Sequence, residues 1–447
     1  MTMNSTQAHY TTKTKFFTLF CAIFITLLLT VILTYQKSSL FFHVVIPTNY
    51  LILPFTLILI GIITEVYGHE YAKKIISFAL LCNLFIILFV KLTVYLPAAP
   101  TWHQQIDYQK TLNLNLSQVI FLLATLIVAQ FLNAWLITHL KKYPSLAGLP
   151  LRHFLSSWAS VFFSLVILTV FSPTNTLTVI NTLSLYLITS AGYVLIALPI
   201  TYSLINTLKN YLHRPEVKTP KSSQKMLEPR YYAVLCLAFI LTILISNIVT
   251  QKITQFHWLI FDIGTLLFPL AYVINCMVSE IYGYQHAKKM IWLSFLTNSL
   301  MILLFQLVLL MPEATSFKNQ IPYAEVFSMV PRIFVASVLA SFFGEFTNAW
   351  VLSKLKIILQ GDYIKTRMFA ATAVGFFIDS TIFSFVAFFL ILPFIKVVDV
   401  AIWEYILKNC FVLLCLKPTA LLISRLKRVE QIDYFDHNAN YNPFFTK

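Results

Sequence analysis

The segment Phe268–Tyr284, FPLAYVINCMVSEIYGY, places an asparagine and a glutamate in an apolar run that ends at Tyr-Gly. The segment Leu53–His69, LPFTLILIGIITEVYGH, lies 215 residues earlier and repeats its Pro, Glu, Tyr and Gly at the same positions. The same offset also aligns Lys37 with Lys252, Asn133 with Asn348, Lys141 with Lys356 and Arg152 with Arg367. Self-similarity at a fixed offset indicates internal duplication, so the chain consists of two related halves.

The composition is typical of a membrane protein. Apolar residues make up 58% of the 447 residues and charged residues only 11%, and the mean hydropathy is +0.78. Soluble domains carry about 25% charged residues, so lipid is the expected solvent and the bilayer the expected partner of this chain. Twelve apolar segments approach the roughly 20 residues that a spanning helix needs. They are centred on 16–34, 44–62, 75–96, 117–138, 154–171, 184–206, 231–249, 258–278, 290–311, 332–353, 370–394 and 402–424.

Six spans per half bring both halves into the membrane with the same orientation, which predicts parallel repeats. The predicted fold is an all-α integral membrane protein of about 12 transmembrane helices in two parallel six-helix repeats. Lys and Arg are concentrated in both tails, in alternate loops and in the linker, so we expect both termini in the cytoplasm. The net charge of +15 then requires no nucleic-acid partner. The predicted domains are a first repeat 1–208, a basic linker 209–230, a second repeat 231–424 and a tail 425–447.

The tenth predicted span has two distinct faces. One face carries polar residues at helical spacing, namely Ser337, Ser341, Glu345 and Asn348. Beside it runs a stripe of small residues, Ala336, Ala340 and Gly344, which permits a neighbouring helix to approach closely. The span therefore presents polar groups where another helix packs.

Acidic residues inside predicted spans indicate a functional site in the second half. Glu280 ends the eighth span, Glu345 lies in the tenth and Asp379 in the eleventh. A charge in hydrocarbon costs at least about 2.5–3.5 kcal/mol and is rarely kept without a partner or a use. Their distances from the inner-side Lys and Arg residues predict a similar depth for all three, which suggests one site. Gln130 and Ser164 replace Glu345 and Asp379 in the first half, so we expect the second half to bind the substrate.

Structural alternatives exist for several of these residues. Glu280 could equally pair with Lys288 or cap the following turn. Arg367 could mark the cytoplasmic interface, and Arg332 could be an anchor that reaches the outer interface. Asp379 has no comparable alternative, because it is surrounded in sequence by Phe and Ile.

The sequence contains no motif for an enzyme or an ATP-driven pump. It has no His-Glu-x-x-His pattern and no G-x-x-x-x-G-K-[ST] loop, and its six cysteines show no C-x-x-C spacing. We therefore predict a protein that is not an enzyme and has neither cofactor nor metal.

The second half resembles a known family, the queuosine precursor transporters, also called the vitamin uptake transporter family. The resemblance is carried by Ser246-Asn247, Lys252, Phe268-Pro269, Tyr272, Glu280, Tyr282-Gly283-Tyr284, Pro331-Arg332, Ala336-Ser337, Gly344-Glu345, Asn348, Arg367, Thr372, Gly375, Asp379, Leu426-Lys427-Arg428, Glu430, Asp433, Asp436 and Asn442-Pro443-Phe444. Members are usually single six-helix units, so the first half looks like a diverged copy fused in front. The family usually has Asp where this chain has Cys276.

The resemblance implies uptake of 7-deazaguanine bases across a bacterial inner membrane for tRNA modification. These bases are 7-cyano-7-deazaguanine, its aminomethyl form and queuine. A carboxylate of Glu280, Glu345 or Asp379 could accept the two adjacent donors of a guanine-like edge. Candidate donors to the base carbonyl are Asn348, Asn247, Lys252 and Arg367, and candidate stacking rings are Tyr272, Tyr282 and Trp350.

Two other functions stay open at the level of sequence. One is transport of a different small base or vitamin, and the other is a structural role without transport, although the latter gives no reason for three acids at one depth. Association into a homo-oligomer is also left open.

Overall fold

The structure is a computed structural model that describes residues 16–41, 44–100, 102–113, 115–143, 149–170, 191–192, 195–196, 198–210, 231–257, 259–314, 319–328, 330–391, 393–437 and 439–444. Its first half contains α1 Phe17–Leu33, β1 Ser38–Phe41, β2 Val44–Pro47, a 3-10 turn Thr48–Leu51, α2 Leu53–Tyr67, α3 His69–Tyr95, α4 Gln105–Leu112, α5 Leu116–Leu140 and α6 Leu149–Val170. Its second half contains α7 Tyr232–Val249, β3 Ile253–Phe256, β4 Leu259–Asp262, a 3-10 turn Ile263–Leu266, α8 Phe268–Tyr282, α9 Tyr284–Leu310, α10 Gln320–Ser328, α11 Val330–Ile358, α12 Ile364–Phe388 and α13 Phe394–Glu430.

Eight helical segments of the described chain are long and apolar enough to cross a membrane. They are His69–Tyr95, Val119–Leu140, Tyr232–Val249, Ile263–Tyr282, Tyr284–Leu310, Arg332–Ile358, Ile364–Phe388 and Phe394–Glu430. The shorter helices α1 and α2 are also apolar. The chain is thus a mainly helical, multi-pass membrane protein. The predicted span 184–206 begins outside the described residues, and most of the linker 209–230 also lies outside them. The count of twelve spans therefore stays a prediction.

The starts predicted for the spans 44–62 and 258–278 are wrong. In each half an antiparallel hairpin and a 3-10 turn precede a short helix, so that α2 and α8 begin only at residues 53 and 268. In the second hairpin Ile253 pairs with Asp262, and Phe256 pairs with Leu259. Branched and aromatic residues favour these strands, and the Asp262 carboxylate accepts a hydrogen bond from the backbone N–H of Thr265, which begins the turn.

The repeated Tyr-Gly sequence ends α2 and α8 in both halves. Gly68 and Gly283 follow these helices with φ of +98° and +84° and ψ of 165° and 172°, a backbone region that is essentially restricted to glycine. Pro54 and Pro269 stand in the first turn of the same helices, where a missing N–H costs nothing. The repeated Pro and Gly residues therefore set the bounds of α2 and α8.

The chain divides into two compact units. The first contains Met1–Phe89, Lys110–Ser223 and Leu304–Ala324, and the second contains Val90–Gln109, Gln224–Leu303 and Glu325–Lys447. In the first unit α5 packs on α6 and on α2, while in the second α12 packs between α11 and α13 and α8 contacts α7, α11 and α13. The small-residue stripe of α11 does contact α12, since Ala336 and Ala340 are buried in one cluster with Phe383 and Ala387. The acidic residues of α11 and α12 are thereby brought to one place.

Candidate functional site

Two buried carboxylates form the centre of the candidate site in the second unit. Glu345 on α11 is fully buried and Asp379 on α12 is 1% exposed, and the two repel each other electrostatically. The side-chain amide of Asn275 donates to the Oε2 atom of Glu345 and, at 3.1 Å, to its backbone carbonyl. Among the described residues, no cation lies within ion-pair distance of Glu345 and its Oε1 atom has no hydrogen-bond partner. This acid therefore has an acceptor available for a ligand.

A buried tyrosine lies beside both acids. The ring of Tyr272 on α8 packs 4.3 Å from that of Phe376, and its hydroxyl interacts with Asp379 and Glu345. Gly344 makes room for it, because a Cβ atom at this position would lie 2.1 Å from the Tyr272 hydroxyl oxygen. The residue equivalent to Tyr272 in the first half is Leu57, so this arrangement belongs to the second half alone.

Lys408 on α13 completes the environment of Asp379. Its ammonium donates to Asp379 Oδ2 at 2.9 Å, to Ser380 Oγ at 3.1 Å and to Glu404 Oε2 at 3.3 Å. Glu404 and Lys408 lie within the predicted span 402–424, but they were not among the predicted site residues. The available signal was the spacing of four between Glu404 and Lys408, which places an acid and a base on one helical face.

Two asparagines offer further hydrogen-bonding capacity. The amide oxygen of Asn348 accepts from the Cys276 thiol at 3.6 Å, but its Nδ2 donor has no partner in the described chain. Asn247 on α7 is 6% exposed, and neither atom of its amide is paired within that part of the chain. An unsatisfied buried polar group costs about 1–3 kcal/mol, so a ligand with matching groups would be stabilised here.

Glu280 does not join this site. The Arg367 guanidinium binds its carboxylate with two hydrogen bonds of 3.1 and 3.2 Å, and Lys427 donates to it at 2.7 Å. The Lys356 ammonium lies 3.7 Å from the same carboxylate. The alternative that Glu280 pairs with Lys288 is not seen among its described ion pairs, and the Lys288 ammonium donates to the backbone carbonyl of Asn442. The single site of three acids is therefore replaced by an acid pair and a separate ion cluster.

The same ion cluster occurs in the first unit. Glu65 is paired with Lys209 at 2.6 Å and with Lys141 and Arg152 at 3.1 Å. Lys141 and Arg152 are the repeat equivalents of Lys356 and Arg367. Because the first unit keeps this cluster but has Gln130 in place of Glu345, the cluster supports the fold of each repeat.

Lys252 also lies away from the acid pair. Its ammonium donates, at 2.6 to 3.2 Å, to the carbonyls of Thr93, Val94 and Leu96 at the end of α3. The Lys37 ammonium likewise donates hydrogen bonds to the carbonyls of Val308, Leu309 and Met311 at the end of α9. A cation is favourable at a helix C-terminus, so these repeated lysines act as helix caps.

The remaining aromatic candidates also have other surroundings. Tyr282 packs against the rings of Tyr232 and His286, and Trp350 is 45% exposed. Arg332 donates to the carbonyls of Val386 and Phe389, which caps the end of α12. Of the three predicted stacking rings, Tyr272 is the one that contacts the acid pair.

Comparison with known proteins gives the family. A family model described as "Putative vitamin uptake transporter" matches residues 47–204 and 262–423. This chain belongs to the vitamin uptake transporter family. The two matches begin 215 residues apart, which is the offset of the internal repeat. A Bacillus subtilis (strain 168) protein named "Probable queuosine precursor transporter" is 28% identical over 164 residues, which cover 36% of this chain and 72% of the relative. No solved structure matches the chain.

This vitamin uptake transporter is thus a tandem duplication and not an enzyme.

Its tail folds back onto the ends of α9 and α11. The Asp436 carboxylate accepts from the backbone N–H of Tyr284 at 2.9 Å and from Ser353 Oγ at 2.7 Å. Burial opposes ionisation of Asp433, but the hydrogen bonds from Lys356 and Lys427 and the positive charges of both residues together outweigh it and lower the pKa of the carboxyl. The tail is therefore held by charge next to the Glu280 cluster.

Proposed function

We propose that this transporter imports queuosine precursors, which are 7-deazaguanine bases, across a bacterial inner membrane, with both termini in the cytoplasm. The observation that carries the proposal is the buried carboxylate of Glu345 beside Asp379, which among the described residues has no cation and has an open acceptor atom. The name of the Bacillus subtilis relative supports the same substrate class.

The acid pair suits the edge of a guanine-like base. Such an edge presents an N–H and an exocyclic amine as neighbouring donors, and one carboxylate can accept both. Glu345 would take this edge, and the free Nδ2 donor of Asn348 would bind the base carbonyl. Tyr272 would contact the ring face, while Lys408 binds Asp379 Oδ2 and leaves the Oδ1 atom as a second acceptor. A base that lacks the paired donors would leave Glu345 unsatisfied, which gives the site its selectivity.

Access to this site requires movement of the helices. Glu345, Asn348 and Tyr272 are fully buried and Asp379 is nearly so, so a base reaches them only when neighbouring helices separate. In transporters built from repeats, one repeat commonly moves against the other around a fixed site. We propose that the repeats 1–208 and 231–424, joined by the linker 209–230, are parallel six-helix units of this kind. The first would serve as the partner surface of the second.

Uptake of labelled compounds tests this function. Cells that lack their own transporter and cannot make the base would express this chain and receive labelled 7-cyano-7-deazaguanine, adenine, uracil or biotin. We expect uptake of the deazaguanine and restored queuosine in tRNA. Preferential uptake of adenine, uracil or biotin would contradict the proposed substrate and favour another base or vitamin. Uptake of none of them, with the protein present in the membrane, would favour a structural role.

A further inference from the structure

A second buried group of carboxylates lies around Lys408. Glu404 lies one turn before Lys408 on α13 and is fully buried, and Asp262 at the end of β4 is 4% exposed. The Glu404 carboxyl lies against that of Asp262, and both act on Lys408 together with Asp379. Among the described elements that pack on α13, the charged groups facing Glu404 are therefore Asp262 and Asp379.

The charges in this group do not balance. Lys408 is the one cation of the described chain in ion-pair contact with it, and it faces three carboxylates. If all three were ionised, two negative charges would remain uncompensated in an apolar surrounding, which is rarely tolerated within a membrane. Two carboxyl oxygens in contact also repel unless a proton lies between them. The group therefore holds at least one proton.

The hydrogen bonds identify the carboxyl that holds the proton. Asp262 accepts three hydrogen bonds, from Thr250 Oγ1 at 3.0 Å and from the backbone N–H and hydroxyl of Thr265 at 3.1 and 2.6 Å. Donors of this kind stabilise an ionised carboxylate. The Lys408 ammonium lies 2.9 Å from Asp379 Oδ2 and 3.3 Å from Glu404 Oε2. The Oε1 atom of Glu404 has no donor in the described chain. Glu404 is thus the acid with the least support for a negative charge.

We propose that Glu404 is the proton-binding site of a proton-coupled transporter, in which Lys408 links this proton to the base bound at Asp379. The inference rests on the proposed function and adds the coupling ion to it. When Glu404 holds the proton, Lys408 pairs with Asp379 and orients that carboxylate to accept from the base, whereas loss of the proton draws Lys408 toward Glu404 and weakens base binding. The proton bound at Glu404 on one side of the membrane is released to water on the other. Because linkage is reciprocal, the proton and the base each change the affinity for the other.

A sodium ion fits this group less well than a proton. The Lys408 ammonium already occupies the space between the carboxylates of Asp379 and Glu404. A metal cation would have to displace it and leave the displaced ammonium buried. A proton between Glu404 and Asp262 needs no such rearrangement.

Transport by the purified full chain in liposomes tests the coupling. The membrane potential is clamped with potassium and valinomycin, and labelled 7-cyano-7-deazaguanine is the probe. With the interior one pH unit more alkaline, one proton per base predicts about tenfold accumulation. The entering base should also acidify the liposome interior, as an internal pH dye would report.

Exchange of labelled for unlabelled base without a pH gradient measures transport alone. Accumulation driven by a sodium gradient, or exchange without any effect of the pH gradient, would overturn proton coupling. Loss of exchange itself would overturn the proposed function.

Two variants locate the proton. Glu404→Gln imitates the protonated carboxyl, so exchange should stay within about threefold of the unmodified protein while the tenfold accumulation is lost. Asp399→Asn is the matched control, since Asp399 lies on the same helix but is 48% exposed and pairs with Lys396 on the surface. It should retain both activities. Full pH-driven accumulation by Glu404→Gln would exclude Glu404 as the site.

Discussion

Replacing Glu280 by Gln should destabilise the second repeat strongly. The carboxylate of Glu280 and the guanidinium of Arg367 are both fully buried, so Glu280→Gln leaves a buried cation without its partner. Removing one member of a buried pair costs about 3–5 kcal/mol. The loss of stability should fall at the upper end of this range, because Lys356 and Lys427 also lose the Glu280 carboxylate and their side chains are only 3% and 18% exposed. Reversible unfolding of the purified protein in detergent would measure the change in free energy.

Two further variants show whether the ion cluster causes this loss. Glu280→Gln combined with Arg367→Met removes both charges and should cost less than Glu280→Gln alone. Glu65→Gln in the first repeat should cost less than Glu280→Gln, because Lys141 and Lys209 are 37% and 36% exposed and water screens them. A loss below about 1 kcal/mol for Glu280→Gln, as for a surface pair, would refute the reasoning.

Three other outcomes are expected. Gly344→Ala would force its methyl group into the Tyr272 hydroxyl, and the overpacking cost of about 1–3 kcal/mol at the site predicts that labelled uptake falls about 5- to 150-fold. The lowered pKa of Asp433 means that its contribution to tail docking is present above its ordinary pKa of 3.8 and is lost as the pH falls below that value. A nitroxide introduced by Asn440→Cys should then become more mobile in its spectrum at pH 3 than at pH 7. Cysteine labelling should find position 218 on the cytoplasmic side and position 105 outside, and an external position 218 would contradict parallel repeats.

The sequence predicts the repeat and the membrane class because both leave a periodic signal. A constant offset of 215 residues and long apolar runs are visible without coordinates. It also identifies Glu345 and Asp379, because an acid in an apolar run is costly and therefore informative. The small-residue stripe of α11 was likewise readable, and Ala336 and Ala340 contact α12 as expected.

Other features depend on contacts between elements and leave no such signal. From the sequence, Glu280 could pair with Lys288, cap the next turn or bind the substrate, and only the packing of α8 on α13 brings Lys427 to it. The hairpin Ile253–Asp262 is apolar enough to pass for the start of a helix. Lys408 lies within the predicted span 402–424, but only its contact with Asp379 reveals its role.

Exchange of labelled base tests directly whether Glu345 and Asp379 bind it. Purified protein in liposomes would be tested for exchange of labelled 7-cyano-7-deazaguanine, with Glu345→Gln and Asp379→Asn beside Ser164→Ala, which alters the first-half equivalent of Asp379. Each acid variant loses one charge-assisted hydrogen bond of about 1.5–3 kcal/mol, which predicts at least a tenfold fall in exchange. Ser164→Ala should change exchange little. Normal exchange by Glu345→Gln and Asp379→Asn, with each protein inserted at the normal level, would contradict this binding.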